Sequence, residues 1–384
     1  MKHIVAAVGL TLVVLASSAC GGSVSPIAAR QPTTVQFPFA LGALSAQGSR
    51  VAAAPAGHNP QNGGARQPLH AVIWDEATGG VESLKLPHIC ATPSSLALAG
   101  PGKAVVLCDD GCCGGSEQLV AALETGASPV AIKHAELYDN HGGGRIDGLA
   151  GSGNLIAFDL TRLSASGKAK DALLYLVSGT HAHAIATGAN KIGKPVGVAG
   201  GRILTERQQV FSAKQTSIFG TPGLYMRVFN ADGRIVSNTF ANGVPPDVPV
   251  SPAAFDGKRT YNVDFYEHWL VVTAPDGSNG GSLCAVGPGV TLGGVSGDYL
   301  TYTTADAVHA IRVSTCHDAV LKAGGGVPAG SVITPAGVFY AFNSRTPLGM
   351  SSSALAHNAS TLTFVPMAQL KLDVQHGTNL GYYP

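Results

Sequence analysis

Cysteine is the residue type in this sequence with the most obvious chemistry. Six cysteines follow position 20, and three of them lie in the segment CDDGCC at 108–113. An even number of thiols in an exported chain indicates disulfides. A thiolate metal site is the alternative, although structural zinc sites usually show paired CxxC knuckles. We expect disulfides, with the four N-terminal cysteines pairing among themselves and the last two with each other. The disulfide candidates are Cys90, Cys108, Cys112, Cys113, Cys284 and Cys316.

Carboxylates and arginines form a second set with potential chemistry. Each lies close to the point where an apolar run passes into polar, irregular sequence. Gathered around one opening, such side chains could hold a metal ion, a sugar or a peptide. The alternative is that they cap strand ends and turns. The ligand-face candidates are Asp109, Asp110, Asp159, Arg162, Glu206, Arg207, Asp264, Glu267, Asp306 and Arg345.

The sequence contains no catalytic motif that would assign a reaction. It has no G-x-S-x-G, no H-E-x-x-H and no phosphate-binding glycine loop. We therefore name no catalytic residue, expect no cofactor and leave the metal content open. His181 and His183 in THAH would share one face of a strand or turn, but such pairs are more often simply exposed.

A repeated pattern supplies the elements that would position these residues. Its first part is an apolar strand, a glycine-containing turn and a strand of alternating apolar residues, as in GLAGSGNLIAFDL. It occurs at 43–55, 96–108, 148–160, 197–207, 253–263, 294–304 and 332–342. The turn glycines are Gly48, Gly102, Gly153, Gly201, Gly257, Gly297 and Gly337. Glycine suits such turns because it adopts positive φ without steric cost.

A second hairpin pattern follows each copy of the first. It occurs at 71–86, 119–134, 173–188, 225–240, 270–286, 308–323 and 362–374. A repeat of about 48 residues with four strands is typical of a β-propeller blade. We therefore predict an all-β propeller, most simply of seven four-stranded blades, with six or eight as alternatives. A β-sandwich with accidental periodicity is the competing fold.

The predicted blades resemble those of bacterial extracytoplasmic propellers of the TolB-like and WD40-like type, which occur in exported lipoproteins. The resemblance spans 35–375 and is one of pattern. The Trp-Asp dipeptide of WD40 blades occurs once, at Trp74 and Asp75. The resemblance implies a fold and a location, and it implies little about chemistry, because propellers host many unrelated functions.

The N-terminus resembles a bacterial lipoprotein signal. MKHIVAAVGLTLVVLASSAC has a basic start, an apolar run too short to span a bilayer comfortably, and small residues before Cys20. Ser17 stands where that family usually has an aliphatic residue, so cleavage after Ala19 without lipidation is the alternative. The predicted domains are a signal peptide at 1–19, lipidated Cys20 with a tether at 20–34, a propeller at 35–375 and a tail at 376–384.

Composition narrows the function class. Charged residues make up 12% of the 384 residues and the formal net charge is +1, so the basic footprint of a nucleic-acid binder is missing. We expect an exported binding module that takes a protein, peptide or glycan and contacts the membrane through its lipid anchor. The alternatives are a propeller enzyme with a carboxylate-lined funnel, such as a metal-assisted hydrolase, lactonase or cyclotransferase, and a structural module with an exposed apolar patch.

Overall fold

The described part of the chain is almost entirely β-structure. The computed structural model describes residues 32–56, 70–110, 117–136, 143–188, 191–208, 224–241, 253–263, 269–273, 284–345, 358–372 and 374–375. All of them belong to one compact unit, Gln31–Pro384. The predicted signal peptide and Cys20 lie outside the described residues.

Thirty strands form in the described residues. The first ten are β1 Thr33–Phe37, β2 Leu41–Gln47, β3 Arg50–Pro55, β4 His70–Asp75, β5 Gly80–Lys85, β6 Thr92–Gly100, β7 Lys103–Asp109, β8 Glu117–Glu124, β9 Val130–Glu136 and β10 Gly144–Arg145. The next ten are β11 Leu149–Ser152, β12 Leu155–Leu163, β13 Ala169–Ser178, β14 His181–Thr187, β15 Lys194–Ala199, β16 Arg202–Gln208, β17 Leu224–Asn230, β18 Ile235–Ala241, β19 Ala254–Phe255 and β20 Thr260–Val263. The last ten are β21 Trp269–Thr273, β22 Cys284–Ala285, β23 Thr291–Ser296, β24 Tyr299–Thr303, β25 Ala307–Arg312, β26 His317–Ala323, β27 Val327–Ile333, β28 Gly337–Asn343, β29 Ser360–Pro366 and β30 Val374–Gln375.

The strands assemble into six sheets. Sheet A has the order β1-β29-β28-β27, sheet B β2-β3-β4-β5, sheet D β15-β16-β17-β18, sheet E β19-β20-β21-β22 and sheet F β23-β24-β25-β26-β30. Sheet C has nine strands in the order β14-β13-β12-β11-β6-β7-β8-β9, with β10 added beside β12. Successive strands in each four-strand run are antiparallel, as the two hairpin patterns predict.

The glycine turns form where the sequence places them. Six of the seven predicted turn glycines have φ between 60° and 92°, the left-handed region that other residues rarely adopt. Gly337 is the exception, and glycine is needed there because the site has no room for a Cβ atom. A Cβ there would lie 2.3 Å from the Val365 carbonyl oxygen on the neighbouring strand. Its turn is closed instead by hydrogen bonds between Thr334 and Gly337.

The expected seven separate four-stranded blades are wrong, and so are the alternatives of six or eight. Five sheets, A, B, D, E and F, are separate blades, but β6–β14 form the single nine-stranded sheet C. Its two four-strand runs join where Ser152 of β11 pairs in parallel with Leu98 of β6, and the Gly153 N–H donates to the Leu98 carbonyl at 2.7 Å. Small residues on both strands let the backbones approach to hydrogen-bond distance. The hairpin pattern in the sequence predicts pairing within a hairpin, but it cannot predict pairing between strands of two different hairpins.

A hydrophobic core lies between each sheet and the next. Sheet C folds over a core of its own, in which Val105 and Leu107 from one run pack with Ile156 and Phe158 from the other. The first strands of the four-strand runs contact one another in a closed order, β2, β6, β11, β15, β19, β23, β27 and back to β2. This ring of inner strands supports the propeller arrangement, and the all-β class is confirmed.

The inner strands carry small residues because their surroundings are crowded. A Cβ on Gly293 of β23 would lie 2.4 Å from the Ser331 carbonyl oxygen, and one on Gly197 of β15 would lie 2.8 Å from the Phe255 Cβ. Real Cβ atoms do not approach other atoms so closely, so any other residue would push the neighbouring inner strands apart.

The N-terminal strand completes the last blade. The outer strand of sheet A is β1, which pairs along its length with β29, from Thr33 opposite Phe364 to Phe37 opposite Ser360. The second strand predicted within 362–374 is therefore wrong. Its place is already occupied, and the chain turns instead through a 3-10 helix at Met367–Gln369, after which β30 pairs with β26 of sheet F.

Candidate functional site

The longest connections within the four-strand runs lie at one end of the sheets. Turns between first and second strands have two to four residues, as at 48–49, 101–102 and 256–259. Connections between second and third strands lie at the opposite ends of the antiparallel strands. They occupy 56–69, 110–116, 164–168, 209–223, 264–268, 304–306 and 344–359. We call this end the long-connection face. Most of the predicted ligand-face residues that the structure describes lie at or beside it, whereas Asp159 lies in the middle of β12.

Asp159 on β12 is a buried carboxyl group that holds the start of a neighbouring strand. The side chain is 2% exposed, and its Oδ1 accepts the backbone N–H groups of Gly148 at 2.8 Å and Asp147 at 3.1 Å. Burial, and then the negative charge of Asp147, raise the pKa of Asp159 well above its ordinary value. Asp147 itself is ion-paired to Arg145, with Nε 2.6 Å from Oδ1.

Glu206 on β16 plays a similar part between sheets D and E. It is 3% exposed, and its Oε1 accepts the N–H of Ala253, just before β19, at 2.5 Å. Burial raises the pKa of Glu206 to about 7, although this hydrogen bond and the charge of Lys194 oppose the shift. Glu206 is thus a carboxyl group that titrates near neutrality while fastening one sheet to the next.

The two carboxylates at the end of β7 lie against the next strand. Asp109 accepts a hydrogen bond from Gln118 Nε2 at 2.8 Å, and the same amide donates to the Ile146 carbonyl at 3.1 Å. Asp110 is buried, and its N–H donates to the Glu117 carbonyl at 3.1 Å. Both residues therefore help to order the beginning of β8.

Arg162 pairs across the β12–β13 ladder. Its guanidinium lies 2.5 Å from Asp171 Oδ2, and Thr187 Oγ1 donates to the same carboxylate at 3.1 Å. The hydrogen bond from Arg162 lowers the pKa of Asp171. Because Arg162 is largely exposed, this pair contributes little to stability.

The remaining candidates are spread around the face. Arg207 on β16 is half-buried, and its charge, after burial, helps to lower the pKa of the neighbouring Arg227. Asp306 and Arg345 are exposed, Asp306 in the β24–β25 turn and Arg345 after β28. Asp264 and Glu267 lie outside the described residues.

The ligand-face candidates do not form one cluster in the described residues. Asp159 and Glu206 point to backbone N–H groups at separate sheets, and Arg162 points to its own hairpin. Most of the set is engaged in capping or pairing contacts, which is the structural alternative the sequence leaves open. The exposed pair, Asp306 and Arg345, stays available to a ligand, and the ligand role of the set remains a prediction.

Two disulfides form between the predicted cysteines. Cys90 pairs with Cys108, and Cys284 with Cys316, as the expected division into N-terminal and C-terminal pairs requires. Cys108 is therefore not a thiolate ligand. Cys284 lies on β22 and Cys316 in the β25–β26 turn, so the second disulfide joins sheets E and F. Cys112 and Cys113 lie outside the described residues.

Sequence reasoning missed two polar arrangements. Asn343, at the end of β28, clasps the backbone of Leu41 on β2, accepting its N–H and donating to its carbonyl, each at 2.8 Å. Glu117, His134 and Glu136 converge on the β8–β9 hairpin with ligand atoms within 4.8 Å of one another. The available signal was the alternation in KHAE, which places His134 and Glu136 on one face of a strand.

Exposed apolar side chains are scattered. The large ones in the described residues are Val81, Val130, Ile235, Val236 and Val320, which lie on β5, β9, β18 and β26, each the fourth strand of a different run. This distribution gives no support to the structural-module alternative, which needs a contiguous apolar patch.

Comparison with known proteins bears on the fold alone. No protein-family model matches the chain, and no curated protein matches its sequence. Among solved structures, the β-propeller domain of the Trilobed protease from Pyrococcus furiosus matches with a TM-score of 0.52 and 10% identity, over 90% of this chain and 96% of that one. The chain has a β-propeller fold. That domain is described as having an open velcro topology, whereas here β1 closes sheet A.

Two further structures match less well. Sqt1 of Saccharomyces cerevisiae has a TM-score of 0.47 at 10% identity, over 86% of this chain and 96% of that one. The acylaminoacyl peptidase of Pyrococcus horikoshii has a TM-score of 0.48 at 9% identity, over 79% of this chain and 49% of that one.

Proposed function

We propose that this protein is an exported β-propeller that acts as a binding module and engages a protein, peptide or glycan through its long-connection face. The observation that carries the proposal is the difference between the two ends of the sheets. The turns between first and second strands have two to four residues, whereas the connections between second and third strands are as long as 209–223 and 344–359; the end with the short turns carries one longer connection of its own, 274–283. Long connections on a rigid scaffold are where binding residues gather.

Export is supported by the oxidised cysteines. Disulfides form and persist mainly outside the cytosol, and two of them link secondary-structure elements here. Within the described ranges, no helix has the length and apolar character needed to cross a bilayer. The signal-like N-terminus adds sequence support for secretion.

A lipid anchor at Cys20 belongs to the same proposal. Replacing this cysteine, Cys20→Ser, removes the thiol that would carry the diacylglycerol, since acyl chains provide the membrane affinity. We expect the wild-type protein in the membrane fraction of its native cells and the variant in the soluble exported fraction, measured by immunoblotting. Equal distribution of both proteins would contradict the anchor and support cleavage after Ala19.

The enzyme alternative is less well supported. A carboxylate-lined funnel needs acids that are free to hold a metal ion or activate water. Asp159 and Glu206 are buried and accept backbone N–H groups of the scaffold. In the described residues, the one group with metal-ligand geometry lies on the outer strands β8 and β9, away from the inner-strand ring.

Shortening the long connections tests the proposal. Residues 209–223 and 346–357 would each be replaced by a short Gly-Ser linker, and the matched control would carry the same linker inserted beside Asp232, in a turn at the opposite end of sheet D. We expect partners cross-linked to the wild-type protein to be lost from the shortened variants and kept by the control, with unchanged melting temperatures. Partners that stay cross-linked to the shortened variants, or that are lost only from the control variant, would contradict the assignment of the face.

A further inference from the structure

The end of the β8–β9 hairpin brings three metal-binding side chains together. Glu117 is directly opposite Glu136 in the antiparallel ladder, and His134 is opposite Leu119, two residues along each strand. Side chains two apart on a strand share a face, so all three point to the same side of the hairpin. The ladder, together with the hydrogen bond from Asp110 N–H to the Glu117 carbonyl, fixes the backbone that carries them.

The donor atoms are close enough to share one ion. His134 Nε2 lies 3.5 Å from Glu117 Oε2, and His134 Nδ1 lies 3.8 Å from Glu136 Oε1. One nitrogen and one oxygen from each carboxylate lie within 4.8 Å of one another. Ligands of a tetrahedral zinc ion, bonded at about 2.0–2.2 Å, are separated by roughly 3.4 Å. Rotation of these exposed side chains must bring the donor atoms together by up to about 1.4 Å, the difference between these two separations.

The local charge favours a cation. In the described residues, the ion pairs of Glu117 and Glu136 are made to His134 alone, and no lysine or arginine joins them. Lys133, on the other face of β9, lies 5.5 Å from the centre of the Tyr175 ring. Two carboxylates beside one imidazole thus have a surplus of negative charge that a divalent ion would neutralise.

We propose that Glu117, His134 and Glu136 form a divalent-metal site that prefers zinc. One imidazole nitrogen and two carboxylate oxygens are a donor set that zinc accepts and that magnesium and calcium, which take oxygen ligands, do not favour. The three side chains are 44%, 44% and 55% exposed. The fourth coordination position is therefore open to water or to a donor from a partner. The site is independent of the proposed binding role.

Metal titration of the purified protein tests this site. After removal of metal with a chelator, the protein is titrated with Zn²⁺ by calorimetry and with Co²⁺ by visible absorption. We expect one saturable Zn²⁺ per chain. His134→Asn is expected to weaken binding at least tenfold, and Glu117→Gln and Glu136→Gln each to weaken it.

The matched control is the double variant His181→Asn/His183→Asn. It removes two exposed histidines from β14, an edge strand of the same sheet. The control is expected to bind Zn²⁺ as the wild type does, and all variants to keep the wild-type melting temperature without metal. The proposal is overturned if the wild type shows no saturable binding, if His134→Asn binds as tightly as the wild type, or if the control loses the ion.

Discussion

Buried polar side chains in this propeller mainly form hydrogen bonds to backbone groups of neighbouring segments. Asp159, Glu206 and Asn343 lie on second strands, Asp159 in the middle of its strand and the other two at or near the end. Each bonds to a backbone group at or just before a first strand. The sequence indicates that polar residues stand at these strand ends. It does not indicate their partners, because Glu206 and Ala253 are brought together only when one sheet packs on the next.

The raised pKa of Glu206 predicts a change of stability with pH. The unfolded chain loses the proton near the ordinary value of 4.5, whereas the folded protein holds it until about pH 7. The contribution of Glu206 to the free energy of unfolding therefore falls by about 3 kcal/mol at most as the pH rises from 4.5 to 7. Above pH 7 it stays constant. Glu206→Gln keeps an acceptor for Ala253 without the charge.

We expect the free energy of unfolding of Glu206→Gln, relative to the wild type, to increase between pH 5 and pH 8. The measurement is urea denaturation at several pH values, with the difference between the two proteins taken at each. A constant difference across this range would show that Glu206 has an ordinary pKa in the folded state.

The amide of Asn343 is expected to contribute to joining sheets A and B. It makes two hydrogen bonds to Leu41 in a buried position, so Asn343→Ala should cost about 2–3 kcal/mol of unfolding free energy. Asn238→Ala is the control, since this exposed amide accepts one hydrogen bond from Arg227 and should cost less than about 1 kcal/mol. Similar losses in both variants, by chemical denaturation, would contradict the fastening role.

At the scale of the elements, the hairpins were predictable and their assembly was only partly so. Glycine turns such as those at Gly48 and Gly297, flanked by alternating apolar residues, determine a hairpin locally. The parallel contact of Leu98 with Ser152, which merges two runs into sheet C, depends on backbone approach between distant segments. The pairing of β1 with β29 likewise joins the two ends of the fold, and no local pattern marks it.

The disulfide between Cys284 and Cys316 is predicted to stabilise the junction of sheets E and F. It closes a loop with a sequence separation of 32, so its removal should cost about 3–4 kcal/mol, mainly by freeing the unfolded chain. We expect Cys284→Ser/Cys316→Ser to lower the denaturation midpoint, and reducing agent to have less further effect on the variant than on the wild type. An unchanged midpoint would mean that packing alone holds the junction.

At the scale of the whole molecule, the ring of inner strands gives the protein two unlike faces. The propeller class could be predicted because a pattern of two hairpins recurs seven times, with its turn glycines spaced from Gly48 to Gly337 at intervals that average about 48 residues. The blade count could not, because it depends on how neighbouring repeats pair. The sequence predicts which end of the sheets carries the candidate ligand residues, but not whether those residues form one binding site. Several of these charged residues bond to the scaffold, and Asp264 and Glu267 lie outside the described residues.

Position-specific photo-cross-linking in native cells tests whether the long-connection face binds the partner. A photoreactive amino acid would replace Arg345 or Asp306 on that face, and Asp232 or Ala127 in turns at the opposite ends of the sheets; all four residues are exposed. We expect a discrete adduct from Arg345 or Asp306 and none from the other two positions. An adduct of equal yield from both faces, or only from Asp232 or Ala127, would contradict it.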